Sequence, residues 1–565
     1  MKLSSLQSIL CLAALTVPAC FAQGDGSDLE KLKAQLADQQ RQIESLKKSL
    51  IETEKTIENL SKAQEDTKAA LDSAAAAVKT PTGSNTASDS LPAAPAKLGG
   101  DVASTNPVLS PPPPPAPRPS AYVPPQDATS SPLQVHLGNI TIMPVGFMDL
   151  TAVFRNENAG SGIGSNFGSV PYNNSNNAHL SEFRFSPQNS RVGFRVDGDW
   201  KGAHFIGYNE FDFLGTSGNN ALGVTNGAFV PRIRLYWVDV RKGQFEFLAG
   251  QSWSMLTPNR RGISPLPGDI FYSQVMDVNY VIGLTWTRQP GVRFIYHPNR
   301  KAAIGLALEN PNQYIGGSGG GPTSVLPTAL SSALAGSQLD NTTAGVLSTP
   351  NLSPDIIVKA AFDPTSRVHF EIAGIERNFK VYNPTAIQTF TKAGGGGSIN
   401  GNFEVVKNFR LITNNYWSDG GGRYLFGNAP DLVVRTNGAI SPIHSGGVVE
   451  GFEAQTKNTL WFGYYGAIYV GRDVVVDTNG SLVGYGYRGS ANSQNRAVQE
   501  GTVGFVQTFW KDPKYGALSL IGQYEYLTRS PWYVAGGAPK AAHDNAIYMD
   551  VRYTLPGGAP PIPEK

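Results

Sequence analysis

Beyond residue 22 the chain has no cysteine and no apolar run approaching the roughly 20 residues that a helix needs to cross hydrocarbon, and only 16% of the whole chain is charged. The missing apolar run excludes a helical span from that part. Any passage through lipid would have to be a closed β-barrel, the other architecture that satisfies every backbone N–H and C=O internally. The missing thiols exclude disulfides and cysteine-held metals from the same part. A net charge of +2 argues against a nucleic-acid partner. The seven histidines are scattered with no metal-ligand spacing, so the sequence offers no metal site and no cofactor.

What is present begins with Met1-Lys2, an apolar stretch from Leu6 to Ala19 and Cys20-Phe21-Ala22 before Gln23. This is the charged, apolar and small-residue order of a secretory signal over residues 1–22. Both cysteines, Cys11 and Cys20, fall inside it. Val17-Pro18-Ala19-Cys20 also matches a lipoprotein box, in which Cys20 would be lipidated; Pro18 fits that reading poorly.

Residues 28–79 repeat every seven positions, with Leu29, Leu36, Ile43, Leu50, Ile57, Leu71 and Val78 at a and Leu32, Leu46, Leu60 and Ala74 at d. That ladder predicts an α-helical coiled coil, interrupted by Gln39, Thr53, Gln64 and Thr67, polar residues that can fix register. Mixed Leu and Ile leave dimer and trimer open. A single amphipathic helix folding back on its own domain is the plainer alternative. Residues 80–132 hold 14 prolines and too few apolar side chains for a core, which predicts an extended, disordered tether.

Composition shifts at residue 133: of 56 aromatic residues, only Phe21 and Tyr122 precede it. The 62 glycines and the aromatic enrichment suit many short strands, with rings gathered at two membrane interfaces. In Arg191-Val192-Gly193-Phe194-Arg195-Val196-Asp197 the polar residues share one face and the apolar ones the other. The same split recurs in Arg232 to Trp237, Ala303 to Glu309 and Met549 to Tyr553. Alternation alone does not say which face is inside, and a soluble β-sandwich would alternate too. The connections do discriminate. Short polar turns at Asp199-Trp200-Lys201, Arg241-Lys242-Gly243, Pro298-Asn299-Arg300, Thr365-Ser366-Arg367 and Lys457-Asn458 alternate with long Gly-, Asn- and Ser-rich loops, the asymmetry of an outer-membrane barrel. Between them lie about sixteen strands, near 145–155, 188–199, 203–214, 230–241, 244–253, 290–297, 302–309, 355–363, 367–381, 397–406, 409–426, 446–457, 459–473, 496–511, 516–529 and 545–555. The expected fold is therefore an all-β transmembrane antiparallel barrel over 133–565, preceded by the coil and the Pro-rich linker. An even strand number returns both ends to the periplasmic side.

The connection after the fifth strand, about 254–289, carries Arg260, Arg261, Asp269, Asp277 and Arg288. On strand count and loop placement, residues 133–555 resemble the sixteen-stranded trimeric porins, whose third loop folds into the lumen. The order of coil, tether and barrel, with Gly250-Gln251-Ser252-Trp253-Ser254 and Arg288-Gln289-Pro290, is similar to the DcaP-like porins, trimeric outer-membrane channels with an N-terminal periplasmic coil. The resemblance implies a homotrimer in the bacterial outer membrane, in contact with lipid and lipopolysaccharide, passing small hydrophilic and often anionic solutes. A contact with peptidoglycan is open. One departure is a Pro- and Gly-rich tail after Tyr553-Thr554-Leu555, where such proteins commonly end on an aromatic residue.

From the residues themselves, Arg191, Arg195, Arg232 and Arg234 share a facing on neighbouring strands and, with Arg293, would line one wall of a lumen. Facing Asp269 and Asp277, that wall would set a field across the constriction. The alternative is that Glu210 and Asp212, on the strand between, neutralise it. The barrel segment holds 34 Lys and Arg against 30 Asp and Glu, so anion preference would have to come from local arrangement. Arginines outnumber lysines 22 to 12 there, and planar guanidinium groups suit carboxylates of organic acids. Gly316 to Gly320 and Gly484 to Gly489 match nucleophile-elbow and dinucleotide patterns, but without the strand-turn-helix context that gives either a mechanism. No catalytic set is expected. Two other readings remain: a non-conducting tether or adhesin, and a secreted soluble β-protein on a stalk.

Overall fold

The computed structural model describes residues 132–215, 227, 229–266, 276–277, 280–316, 323–340 and 349–556. The chain divides into units Met1–Pro92 and Ala93–Lys565, and all described residues belong to the second. The expected signal, coil and linker, and the tail 557–565, lie outside the described residues.

Sixteen antiparallel strands close into a barrel. They are β1 (Ile140–Arg155), β2 (Glu182–Ser186 and Arg191–Trp200), β3 (Ala203–Gly215), β4 (Val230–Lys242), β5 (Phe245–Trp253), β6 (Arg288–Asn299), β7 (Ala302–Glu309) and β8 (Asp355–Thr365). The second half is β9 (Val368–Asn383), β10 (Gln388–Val406), β11 (Phe409–Asp419), β12 (His444–Thr456), β13 (Thr459–Val470), β14 (Asn495–Asp512), β15 (Gly516–Pro531) and β16 (Ala542–Thr554). Closure is made by β1 and β16, paired from Phe147↔Thr554 to Arg155↔Ala546. On its other side β1 pairs with both pieces of β2. Where those pieces part, the Asp149 N–H donates to Ser190 Oγ at 3.0 Å, which keeps the ladder satisfied through the break.

Each sequence-spaced strand has its counterpart, and the differences have local causes. β10 begins at Gln388 rather than 397 because residues 388–396, which lie outside the expected strand, pair in register with β9 up to Asn383↔Gln388. β11 stops at Asp419 rather than 426, since Gly420 takes a positive φ of 85° and the chain turns into a short 3-10 helix at Gly422–Tyr424. At one end the connections are tight: Lys201 and Gly202 both have positive φ, 49° and 75°, the two-residue turn that matches strand twist. At the other end long loops build small apolar cores of their own. One joins α1 (Thr328–Leu334) to Phe379 and Val381 of β9 and to the hairpin of Leu432–Val434 and Ile440–Pro442. Asp477 holds the start of α1, accepting from the Thr328 N–H at 2.9 Å and its hydroxyl at 2.7 Å, and these bonds keep its carboxyl below the usual range.

The facing of the side chains settles what alternation left open. On β2, Val192 and Phe194 are each 44% exposed on the outer wall, whereas Arg191 and Arg195 are 3% and 1% exposed on the inner one. β16 repeats this, with Ile547, Met549 and Val551 outward and Asp544, Asp550 and Arg552 inward. A water-soluble sheet places its charges the other way. Arginine placed on the outer wall at Leu306, midway along β7, should therefore cost about 2–4 kcal/mol of folding free energy in lipid. Urea titration of folding into vesicles measures this against Leu306→Ala; equal costs for the two would mean that Leu306 does not face hydrocarbon.

Candidate functional site

Period-two alternation points the long polar residues of neighbouring strands at one another across the inner wall. Glu210 and Asp212 on β3 stand between Arg191 on β2 and Arg232 and Arg234 on β4. Arg232 binds Asp212 through two nitrogens, at 3.0 and 2.8 Å. Arg234 reaches Glu210 at 2.5 Å and Asp212 at 2.7 Å, and Arg191 lies 3.4 Å from Glu210. The basic row is thus an ion-pair network with Glu210 and Asp212, the pairing that the sequence left as the alternative. Its members from Arg191, Glu210, Asp212 and Arg234 are buried, where a charge without a partner would be expensive. Arg195 stands apart, closed onto Asp197 two residues along its own strand at 2.7 Å. Arg293 does not join the row either. Its guanidinium donates to Ser252 Oγ at 2.7 Å and to the Trp253 carbonyl, fastening the root of the following loop.

That loop, after β5, runs into the barrel. A loop in the lumen must satisfy its backbone N–H groups, and here wall carboxylates accept them. Met255 N–H donates to Glu309 of β7 at 2.7 Å, Gly262 N–H to Asp363 of β8 at 3.0 Å and Ile282 N–H to Glu500 of β14 at 2.8 Å. Arg260 spans to Glu453 of β12 with both distances 3.0 Å, while Arg261 is exposed. Glu371 of β9 accepts from Asn259 N–H at 3.3 Å and pairs with Lys359 at 2.8 Å. Two wall glycines make the approach possible: a Cβ on Gly447 or Gly466 would overlap the loop carbonyls of Gly283 and Ile282. The loop's returning end carries Trp286 onto Trp253, ring centres 4.0 Å apart, and both Arg234 and Arg288 stand over the Trp253 indole at 5.9 and 5.5 Å.

Two poles of charge result. Around Trp253, the guanidinium groups of Arg191, Arg232, Arg234 and Arg288 meet the carboxylates of Glu210 and Asp212, a local basic excess. Asp277, which accepts the Ser165 N–H at 2.8 Å, sits instead in the electrostatic company of Glu525, Glu500 and Asp544, with Arg155 the cation among them. Asp269 lies outside the described residues. The sequence pattern named Arg191, Arg195, Arg232 and Arg234 with their two carboxylates because strand parity is legible. The loop anchors Glu309, Glu371, Glu453 and Glu500 had the same parity but no sign of what they hold, since their partners are 54 to 218 residues away in the chain.

Just past β1, Glu157 is half-buried beside Asp544, and burial together with that negative neighbour pushes its carboxyl up to about 7. A carboxyl held above its unfolded value stabilises the fold only while protonated. Stability should therefore decline between about pH 4.5 and pH 7 by an amount which, for so solvated a group, is at most about 1 kcal/mol. Glu157→Gln should match the wild type below pH 4.5 and exceed it at pH 7 and above in denaturation midpoint. Parallel pH profiles of the two proteins would contradict the assignment.

Among solved structures, the fold is similar to that of the outer membrane channel DcaP of Acinetobacter baumannii, with a TM-score of 0.52 and 17% identity over 74% of this chain and 97% of that one. Lesser likenesses include an anion-selective porin from Comamonas acidovorans, TM-score 0.41 and 12% identity over 73% and 99% of the two chains. Another is Salmonella typhi OmpF in complex with daunomycin, TM-score 0.41 and 9% identity over 74% and 100%. No protein-family model and no curated protein matches the sequence.

Proposed function

We propose that the chain is an outer-membrane porin, a water-filled channel for passive diffusion of small hydrophilic solutes, with a preference for organic anions. The observation that carries this is the inversion of the wall: mainly apolar side chains out, and the buried ionised side chains in, around a lumen entered by a pinned loop. The likeness of fold to the DcaP channel supports the same reading. In this reading the short turns face the periplasm and the long loops the exterior.

The lumen filters through charge placement. Four guanidinium groups, Arg191, Arg232, Arg234 and Arg288, share the two carboxylates of Glu210 and Asp212, so the cluster as a whole carries the basic excess. A solute carboxylate passing this pole exchanges its hydration for guanidinium contacts, while the acidic surroundings of Asp277 orient a dipolar solute across the opening. No reaction is catalysed; the work is desolvation and orientation. The N-terminal heptads are proposed to hold three such barrels together from the periplasmic side and to set their distance from the cell wall.

Recording across a planar bilayer under a salt gradient tests the proposal. Insertions should appear in three equal steps with an anion-selective reversal potential. Arg232→Gln combined with Arg288→Gln leaves Arg234 paired with both carboxylates and should lower the anion-to-cation permeability ratio. Silent membranes would contradict the channel, and an unchanged reversal potential would contradict the role of the basic pole.

A further inference from the structure

On the outer wall, at the long-loop end, the barrel carries a cleft of about 330 Å³ lined by Gly395, Trp417, Asp419, His444, Gly446 and Tyr469 among others. Its shape follows from strand register. Gly397, Trp417, Gly446 and Tyr469 are directly opposed across β10, β11, β12 and β13, so two outward rings flank a position without a side chain. Trp417 and Tyr469 are 54% and 49% exposed on that wall. Two interstrand spacings place their backbones about 10 Å apart, leaving a slot between the rings. The slot is too narrow for a helix, whose diameter with side chains is about 10–12 Å. One row nearer the loops stand Gly395, Asp419 and His444, the last two exposed and hydrogen-bonded to each other. One row further from them come Ile399, Asn415, Val448 and Ala467, which continue the slot over largely apolar ground.

The mouth is built as well as the floor. Trp532, fixed by its indole N–H on the Val470 carbonyl at 2.8 Å, packs edge-on against Tyr469 with centres 6.0 Å apart. The exposed Arg472 lies over the same indole at 5.8 Å. An aromatic-sided slot in the apolar belt, with the stacked cation Arg472 at its mouth beside the mutually bonded Asp419 and His444, complements a single hydrocarbon chain bearing a phosphate. A second copy of this barrel would bring separate side chains rather than a continuous chain to the slot.

We infer that this cleft binds one acyl chain of the phosphorylated glycolipid of the outer leaflet, with Arg472 meeting the lipid phosphate. The inference rests on the outer-membrane reading above, because that reading puts the long-loop end in the outer leaflet. It does not require the lumen to conduct.

Native mass spectrometry of the full chain in mild detergent, with purified lipid A as the probe and phosphatidylglycerol as the comparison, tests it. The wild type should retain one lipid A per protomer under conditions that strip detergent. Trp417→Ala combined with Tyr469→Ala, and separately Arg472→Ala, should each lower that occupancy about tenfold, a loss of about 1.4 kcal/mol. Arg472 lies outside the strands, so its variant keeps the test valid if the double variant fails to fold. Equal occupancy in wild type and variants, equal retention of phosphatidylglycerol, or no lipid retained by the wild type would overturn the inference. A change in oligomer mass with lipid occupancy unchanged would also overturn it, by assigning the cleft to a contact between copies. Retention of lipid A by a protein silent in bilayers would remove the channel and leave the cleft standing.

Discussion

The pairing of the first strand with the last is the constraint on which the rest depends. With β1 joined to β16 from Phe147↔Thr554 to Arg155↔Ala546, the sheet has no edge, and its backbone groups are satisfied within the wall. Only then can the outer surface be surrendered to apolar side chains, because no N–H or C=O is left to demand water. Unpaired, the same strands would expose two long edges flanked by Val, Phe and Ile, an invitation to aggregate.

Closure also dictates what happens inside. Alternation that sends Val192, Phe194, Ile547 and Val551 outward sends arginines, aspartates and glutamates inward at similar density. They neutralise one another along the wall, as Arg234 does with Glu210 and Asp212, or they serve as acceptors for the inserted loop, as Glu309, Asp363 and Glu500 do. In the proposed channel, selectivity then rests on guanidinium groups that outnumber the carboxylates they share. The proposed filter is the small surplus of guanidinium around Trp253, since the barrel segment as a whole, with 34 basic and 30 acidic residues, is nearly balanced.

The strands were legible because period two is short range and the turn residues sit beside it. Residues 191–197 declare their two faces without reference to anything distant, and Asp199-Trp200-Lys201 marks by residue type a turn that the structure makes at Lys201-Gly202. The direction of those faces was not legible, since inside and outside are decided by closure, which joins residues some 400 positions apart. The start of β10 is hidden for a related reason: Gly394 to Gly396 carry no side chain to alternate, so period two does not mark them as paired strand. Within the candidate site, the arginine row could be named but its pairing had to be weighed as an alternative. Arg293 has the inward facing that strand parity gives, but parity does not give the height at which a side chain meets a loop, and there it fastens the loop root. The outer cleft was hidden entirely, as it exists only where Trp417, Gly446 and Tyr469 of three strands come into one row.

Both cysteines of the chain fall within residues 1–22, so single cysteines can be placed in the barrel as labels that report the inverted wall. Spin labels at consecutive positions from Ala546 to Val551 of β16, in protein reconstituted into vesicles, report which sites meet lipid and which meet water. Positions 547, 549 and 551 should be relaxed by oxygen dissolved in the bilayer, and positions 546, 548 and 550 should be shielded from it. The opposite phase, or no alternation at all, would contradict a barrel that faces hydrocarbon outward and keeps its charges within.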